Sequence, residues 1–194
     1  MLLHLIRHGA YDLIGHTLGG RAPHPLSAAG QAQAARVAEA LRGRPVAAVV
    51  ASPLRRAQET AAPIAARLGL QVQTDPAFNE IDYAGWTGRR FDSLADDPVW
   101  QAWNTFRGTA GIPGGETMLQ AQARAVAGMT ALAAALPDQE VVVVSHADVI
   151  KAILVHVLGM PLDLMHRLEV GPASISQVRL YPADATVLCI NQAP

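Results

Sequence analysis

Apolar residues along this chain fall into short continuous runs separated by stripes at helical spacing. The runs Leu2–Ile6 and Val46–Ala51 are apolar throughout, which is typical of strands buried on both faces of a sheet. A third run, Glu140–Ser145, contains four consecutive valines and has the same character. Weaker strand patterns lie at Leu70–Thr74, Ser174–Tyr181 and Thr186–Ile190.

Helical stripes of apolar residues fill most of the segments between these strands. Leu26-Ser27 is typical of a hydrophobic staple followed by an N-cap, and Ser52-Pro53 predicts a cap with a first-turn proline. An alanine-rich helix is predicted between Gly115 and Pro137, and another after His146. Strands alternating with helices predict an α/β protein, a three-layer α/β/α sandwich with a mostly parallel central sheet.

The length of 194 residues fits a single domain over 1–194. The less regular stretch around 85–115 predicts a small helical, lid-like insertion. Within it, Trp100, Trp103 and Phe106 stand at helical spacing, and we expect them to pack in the core rather than to bind a ligand.

Composition excludes several classes of partner. The net charge is −1 and 16% of the residues are charged, so neither a nucleic-acid footprint nor a membrane-binding surface is expected. No apolar run is long enough to span a bilayer. The segment Met1–Ile6 lacks the cationic region of a signal peptide, so a cytoplasmic protein is expected. The single cysteine, Cys189, excludes an intramolecular disulfide and a cysteine-based zinc site.

The polar residues that follow three strands suggest a function. Arg7-His8 ends the first strand, Arg55-Arg56 follows the second, and His146 follows the valine strand. Ligands of parallel sheets bind at the carboxyl ends of the strands, where these side chains should converge. Guanidinium groups match phosphate oxygens bidentately, so the sequence predicts a phosphate site.

Competing chemistries fit the sequence less well. His4 and His8 are four residues apart, but on a strand they would lie roughly 13 Å apart, too far to share a metal ion. Ser52 and Ser145 also follow strands, yet neither lies in the Gly-x-Ser-x-Gly motif of a serine hydrolase. The glycine-rich nucleotide-binding motifs are absent as well. We therefore expect no metal and no nucleotide cofactor.

Five blocks of sequence resemble, in order, those of the histidine phosphatase superfamily, also called phosphoglycerate-mutase-like. The resemblance covers almost the whole chain. The blocks are Leu5-Ile6-Arg7-His8-Gly9, Ser52-Pro53-Leu54-Arg55-Arg56-Ala57-Gln58-Glu59-Thr60-Ala61, Asn79-Glu80-Ile81-Asp82-Tyr83-Ala84-Gly85-Trp86-Thr87-Gly88, Pro113-Gly114-Gly115-Glu116-Thr117 and Val144-Ser145-His146.

The resemblance implies a role for each catalytic position. It makes His8 the phosphoryl acceptor and Arg7 its phosphate-binding neighbour. Arg56, which directly precedes the alanine, matches the second arginine, whereas Arg55 is expected to be a surface charge. His146 matches the second histidine of the pocket, and Glu80 the acid that protonates the leaving group. Nearby arginines should lower the pKa of His8, and bound phosphate should raise that of Glu80. No cofactor is implied.

The chain departs from the family pattern just after His8. Ala10 and Ile14 stand where the family commonly has a Glu or Gln and a phosphate-binding Asn, so one ligand of the phosphate is missing. His16 is a candidate to replace it. Arg21 and Glu116 are further candidates for substrate contact, with a surface role and a helix-start role as the respective alternatives.

The short segment after Glu80 favours a phosphatase over a mutase, because family mutases usually carry longer inserts that enclose a bisphosphate. The expected partner is a small phosphorylated substrate. A phosphoglycerate-mutase-type phosphomutase and a catalytically weak phospholigand-binding module remain alternatives. The oligomeric state is open, with a homodimer among the possibilities.

Overall fold

A single sheet of six strands forms the centre of the protein, whose computed structural model describes residues 1–194. The strands are β1 (Leu2–Arg7), β2 (Val46–Ala51), β3 (Val72–Thr74), β4 (Glu140–Ser145), β5 (Ile175–Leu180) and β6 (Ala185–Gln192). Their order across the sheet is β3-β2-β4-β1-β5-β6. The first four strands in that order pair in parallel, and β5 runs antiparallel to both its neighbours. The prediction of a mostly parallel sheet is confirmed.

Helices cover both faces of this sheet. They are α1 (Ala28–Ala40), α2 (Arg55–Leu68), α3 (Phe91–Leu94), α4 (Pro98–Thr105), α5 (Met118–Ala135) and α6 (Ala147–Val157), with 3₁₀ turns at Pro76–Phe78, Ala84–Trp86 and Leu162–Arg167. Successive strand residues point to opposite faces. Accordingly Leu5 packs in the larger apolar cluster with residues of α5 and α6, whereas Ile6 packs in the smaller one with residues of α1 and α2. The predicted three-layer sandwich is confirmed.

The register of the parallel strands places two histidines side by side. Arg7 pairs with Ser145 across β1 and β4, so His8 and His146 both follow the same rung of the sheet. Ala51 of β2 pairs with Val144, which brings Ser52 to the same edge. The carboxyl ends of β1, β2 and β4 therefore meet where the predicted site lies.

The start of α2 differs from the prediction. Leu54, not Ser52, is the N-cap residue, and its side chain makes no capping hydrogen bond. The Ser52 side chain is fully buried and its hydroxyl contacts His146 instead. The serine that was predicted to cap α2 therefore makes its shortest side-chain hydrogen bond to His146 of the site.

The 85–115 stretch contains two short helices, α3 and α4. Asp97 caps α4, and Pro98 occupies its first turn, where a proline is tolerated. Trp103 is fully buried in the larger core cluster, as expected. Phe106 is 55% exposed, so the expected core packing is wrong there; α4 ends at Thr105, and Phe106 no longer follows its buried face.

Candidate active site

His8 is held in one orientation and one tautomer at the end of β1. The ring is buried, and its Nδ1 lies 2.8 Å from the carbonyl oxygen of Gly9, to which it donates. Nε2 therefore carries the lone pair. The amide of Gly9 donates to Thr60 Oγ1 across 2.9 Å and anchors the turn. The ring thus directs an unprotonated nitrogen into the site.

Arg56 is fully buried in α2 and contacts both histidines. Its Nε donates to His8 Nε2 across 3.2 Å, and one Nη lies 3.2 Å from His146 Nδ1. The Nη groups also donate to the carbonyl oxygens of Gly20 and Ala22. Arg55, in contrast, is exposed and forms an ion pair with Glu59, as the expected surface charge would.

Arg7 completes the positive side of the site. One Nη donates to the carbonyl of Val170 across 2.7 Å, whereas the buried Nε has no hydrogen-bond partner. A buried donor without a partner is costly, and an anion bound here would satisfy it. Burial, Arg56 and Arg7 together hold the pKa of His8 well below its usual value, so the ring is neutral.

His146 is oriented by a chain of hydrogen bonds that sequence reasoning missed. Ser52 Oγ lies 2.7 Å from His146 Nε2 and donates to Asn79 Oδ1 at 3.3 Å. The Ser52 hydroxyl therefore accepts from Nε2–H, and His146 Nδ1 faces Arg56 as an acceptor. Burial is the largest cause, and Arg56 the next, of a pKa well below the usual value for His146. The position of Ser52 at a strand end equivalent to that of His8 was the signal available.

Glu80 lies beside Arg56 and His146. Its Oε2 is 3.8 Å from an Nη of Arg56 and 3.7 Å from His146 Nδ1, and its Oε1 accepts from the amide of Ile81. Burial raises the pKa of Glu80 to about 7, against the opposing effect of Arg56. The sequence-based expectation attributed a raised pKa to bound phosphate, but burial already raises it without one.

The other three candidates lie further from the nucleophile. His16 is exposed and does not line the cleft. Its carbonyl oxygen accepts a hydrogen bond from the amide of Phe91. Arg21 donates to the carbonyl oxygen of Glu80, and its guanidinium also pairs with Asp82 and Glu116. Glu116 accepts two hydrogen bonds from Arg124. Arg21 and Glu116 therefore brace the Glu80 segment in this structure and do not line the cleft.

A cleft of about 320 Å³, near the lower end of the range for small-molecule sites, is lined by Arg7, His8, Arg56 and Glu80, whereas the fully buried His146 is not part of its lining. Ile14 lines it, so an apolar side chain occupies part of the surface where the phosphate-binding Asn was expected. Six polar residues of the lining were missed by sequence reasoning: Tyr11, Thr17, Tyr83, Asn104, Arg107 and Asp148. A larger groove of about 740 Å³ between α5 and the β5–β6 turn has no Arg or Lys and does not suit a phosphate.

No group of three or more His, Cys, Asp or Glu side chains is arranged to hold a metal ion. No helix combines the length and the apolar character that crossing a bilayer requires.

Comparisons with known proteins show which family the fold and sequence match. The model of the histidine phosphatase superfamily (branch 1) matches residues 3–193. The protein Rv0525 of Mycobacterium tuberculosis (strain ATCC 25618 / H37Rv) is 38% identical over 202 residues, covering 99% of this chain and 96% of that protein. "Probable phosphoglycerate mutase GpmB" of Enterobacter sp. (strain 638) is 30% identical over 179 residues, covering 91% and 83%. The solved structure of mycobacterial glucosyl-3-phosphoglycerate phosphatase Rv2419c superposes with a TM-score of 0.88 at 29% identity, covering 100% of this chain and 99% of that one.

Proposed function

The chain belongs to branch 1 of the histidine phosphatase superfamily, and we propose that it is a metal-independent phosphatase acting on small phosphomonoesters through a phosphohistidine at His8. The observation that carries the proposal is the tautomer of His8, whose Nδ1 donates to the Gly9 carbonyl while the unprotonated Nε2 accepts a hydrogen bond from Arg56. A neutral imidazole held this way is an activated nucleophile.

The reaction has two steps. In the first, His8 Nε2 attacks phosphorus, the P–N bond forms, and the bond from phosphorus to the alcohol oxygen breaks. Glu80, whose pKa of about 7 keeps much of it protonated near neutral pH, gives its proton to the leaving oxygen. In the second, water attacks phosphorus, the Glu80 carboxylate takes a proton from that water, and the P–N bond breaks to release phosphate and neutral His8.

Arg7 and Arg56 would stabilise the charge on the transferring phosphoryl oxygens. Arg56 is fully buried and Arg7 is partly buried, and a cation shielded from water stabilises charge more strongly than one in bulk solvent. Arg7 brings its unpartnered Nε, and Arg56 can exchange its bond to His8 for bonds to phosphate.

His146 can assist only in its protonated form. In this structure its Nδ1 is an acceptor that faces Arg56, because Nε2–H donates to Ser52. A phosphate dianion close to Nδ1 raises the pKa of this imidazole and favours the cation. His146 would then donate from Nδ1 to a phosphoryl oxygen while Ser52 keeps the ring in place.

The test is hydrolysis of p-nitrophenyl phosphate by the purified protein in the presence of a chelator. We expect turnover, its near-complete loss in His8→Ala, and a phosphorylated His8 peptide after rapid acid-free quenching. His166→Ala changes an exposed histidine that does not line the cleft and serves as the matched control. Full activity of His8→Ala would rule out the mechanism.

Two other functions each have one supporting observation. The similarity to a protein named as a phosphoglycerate mutase favours a phosphomutase, which would convert phosphoglycerate isomers only with a bisphosphate primer. Ile14 in the cleft lining favours a phospholigand-binding module, which would bind phosphate tightly and hydrolyse no phosphomonoester in a broad panel. Hydrolysis of phosphomonoesters, primer-dependent isomer conversion, and phosphate binding without hydrolysis therefore distinguish the three functions.

A further inference from the structure

A second polar cluster lies in the cleft, and the proposed reaction does not use it. Asp148, in the first turn of α6, accepts from Arg107 Nη1 at 2.9 Å and from the Tyr83 hydroxyl at 3.2 Å. Arg107 follows α4 and lies over the ring of Trp103, with its Cζ 4.9 Å from the ring centroid. Asn104 Oδ1 accepts from its other Nη. These side chains hold one another in fixed positions.

The cluster leaves one acceptor for a ligand. Both bonds to Asp148 end on Oδ2, and no protein group donates to Oδ1. The Asp148 side chain is 23% exposed, and the residue lines the cleft together with Arg7, His8 and Glu80. Arg107 holds the pKa of Asp148 below its usual value despite burial, so the group is a carboxylate. A ligand that meets Oδ1 must therefore bring a hydrogen-bond donor.

The charges of the cluster indicate which kind of donor group on a ligand suits Asp148 Oδ1. Arg107 and Asp148 neutralise each other at 2.9 Å, so this part of the cleft has no net charge. A carboxylate has no proton to donate to Oδ1, and an ammonium group would lie close to the cations Arg7 and Arg56. A hydroxyl donates without carrying charge. The apolar rings of Phe91 and Trp100 also line the cleft and suit the C–H faces of a polyol or sugar.

We propose that Asp148 is a specificity-determining residue, whose Oδ1 accepts a hydrogen bond from a hydroxyl of the leaving alcohol. The preferred substrates are then phosphomonoesters of uncharged, hydroxyl-rich alcohols. This inference rests on the proposed phosphatase function and adds the class of alcohol.

The experiment compares kcat/KM within matched sets of substrates. One set is n-propyl phosphate, glycerol 3-phosphate, 3-phosphoglycerate and phosphoserine; the other is cyclohexylmethyl phosphate and glucose 6-phosphate. We expect the wild-type protein to prefer the uncharged hydroxylated member of each set. In Asp148→Asn, the amide oxygen must face Arg107 and Tyr83, so the amide NH₂ replaces the free acceptor. The preference should fall about 10- to 100-fold, as for a hydrogen bond to a charged group, and 3-phosphoglycerate should gain relative to glycerol 3-phosphate.

Asp96→Asn is the control, because Asp96 is an exposed carboxylate of the same 85–115 stretch and does not line the cleft. It should leave the selectivity unchanged, and thermal unfolding of each variant reports folding. An equal loss on every substrate in Asp148→Asn, or a wild-type preference for the ammonium or carboxylate substrate, overturns the inference, while hydrolysis of p-nitrophenyl phosphate still supports the phosphatase. Absence of any hydrolysis by the wild-type protein overturns both.

Discussion

The Nε of Arg56 donates a hydrogen bond to Nε2 of His8 across 3.2 Å, so this cation is bound to the lone pair of the proposed nucleophile. Arg56 also lowers the pKa of His8, second only to burial. One buried guanidinium therefore keeps the imidazole unprotonated and is positioned to transfer its hydrogen bond to an incoming phosphate. Removal of Arg56 should therefore have two effects, a higher pKa of His8 and a weaker hold on phosphate. Only the first should depend on pH.

Replacing the cation should shift the acid limb of the pH profile. In Arg56→Gln the pKa of His8 rises, so more of the ring is protonated at pH 5 to 6 and the loss of kcat/KM is larger there than at pH 8. The loss of phosphate stabilisation should itself cost about 10²- to 10³-fold. The measurement is kcat/KM for p-nitrophenyl phosphate against pH.

Arg55→Gln provides the matched control for this measurement, since Arg55 is the exposed neighbour paired with Glu59. It should stay within about twofold of the wild-type rate, because exposed ion pairs contribute little. Similar losses in both variants would contradict the assignment of Arg56.

Glu80→Gln should discriminate between leaving groups. An alkoxide needs the proton that Glu80 gives, whereas p-nitrophenolate leaves readily without it. We expect kcat/KM, which reports the phosphorylation step and not the later hydrolysis that also uses Glu80, to fall about 10²- to 10⁴-fold for an alkyl phosphate, and far less for p-nitrophenyl phosphate. In the wild-type protein, activity on the alkyl phosphate should decline as pH rises through about 7, the pKa of Glu80. Equal losses on both substrates would argue against an acid at this position.

The same carboxyl group should make folding stability depend on pH. Its folded pKa of about 7 exceeds the ordinary 4.5, so the native state favours the protonated form. That contribution is complete below pH 4.5 and is lost as pH rises through 7. Relative to Glu80→Gln, the wild-type free energy of unfolding should therefore fall by about 2–3 kcal/mol between pH 4.5 and pH 8. Urea denaturation of both proteins at the two pH values tests this, and a constant difference would contradict it.

Ser52→Ala should weaken catalysis through the orientation of His146. Without the hydroxyl at 2.7 Å, Nε2–H loses its acceptor and the ring can rotate away from the phosphate. We expect kcat to fall about 10-fold, the cost of one hydrogen bond, with a small change in KM. Ser174→Ala is the control, because Ser174 Oγ is buried without a partner. Equal effects of the two variants would indicate a general packing effect.

The sequence was sufficient to predict the parts of this site that the sheet itself positions. His8 and His146 each follow a strongly apolar strand, and parallel strands bring such ends to one edge whatever the loops do. Arg56 lies in the helix directly after β2, so its position also depends on short-range structure. Glu80 lies in a connection without a regular pattern, and only the resemblance to a known family identified it.

The remaining parts depend on contacts between distant loops, which no local pattern encodes. Arg107 reaches Asp148 from an irregular segment after α4, across 41 positions in the chain. Arg21 was a candidate for substrate binding because arginine suits phosphate, but its guanidinium is engaged by Asp82 and Glu116. Residue type indicated the chemistry in both cases, and the tertiary fold decided which partner was used.

Gly30 illustrates how such a long-range contact can reverse a local preference. Gly30 lies in α1, where alanine is favoured over glycine by about 1 kcal/mol. A Cβ at this position would lie 2.0 Å from the carbonyl oxygen of Ala10, a backbone atom that also accepts from the amide of Ser27. The overlap forces the backbone after His8 and Gly9 to move. We expect Gly30→Ala to lower the free energy of unfolding by about 1–3 kcal/mol and to reduce kcat. At Gly85 a Cβ meets no atom within 4 Å, so Gly85→Ala should change stability by less than about 0.5 kcal/mol. Chemical denaturation of the two variants decides the matter, and a Gly30→Ala protein at least as stable as the wild type would show that α1 can move away from the His8 turn without cost.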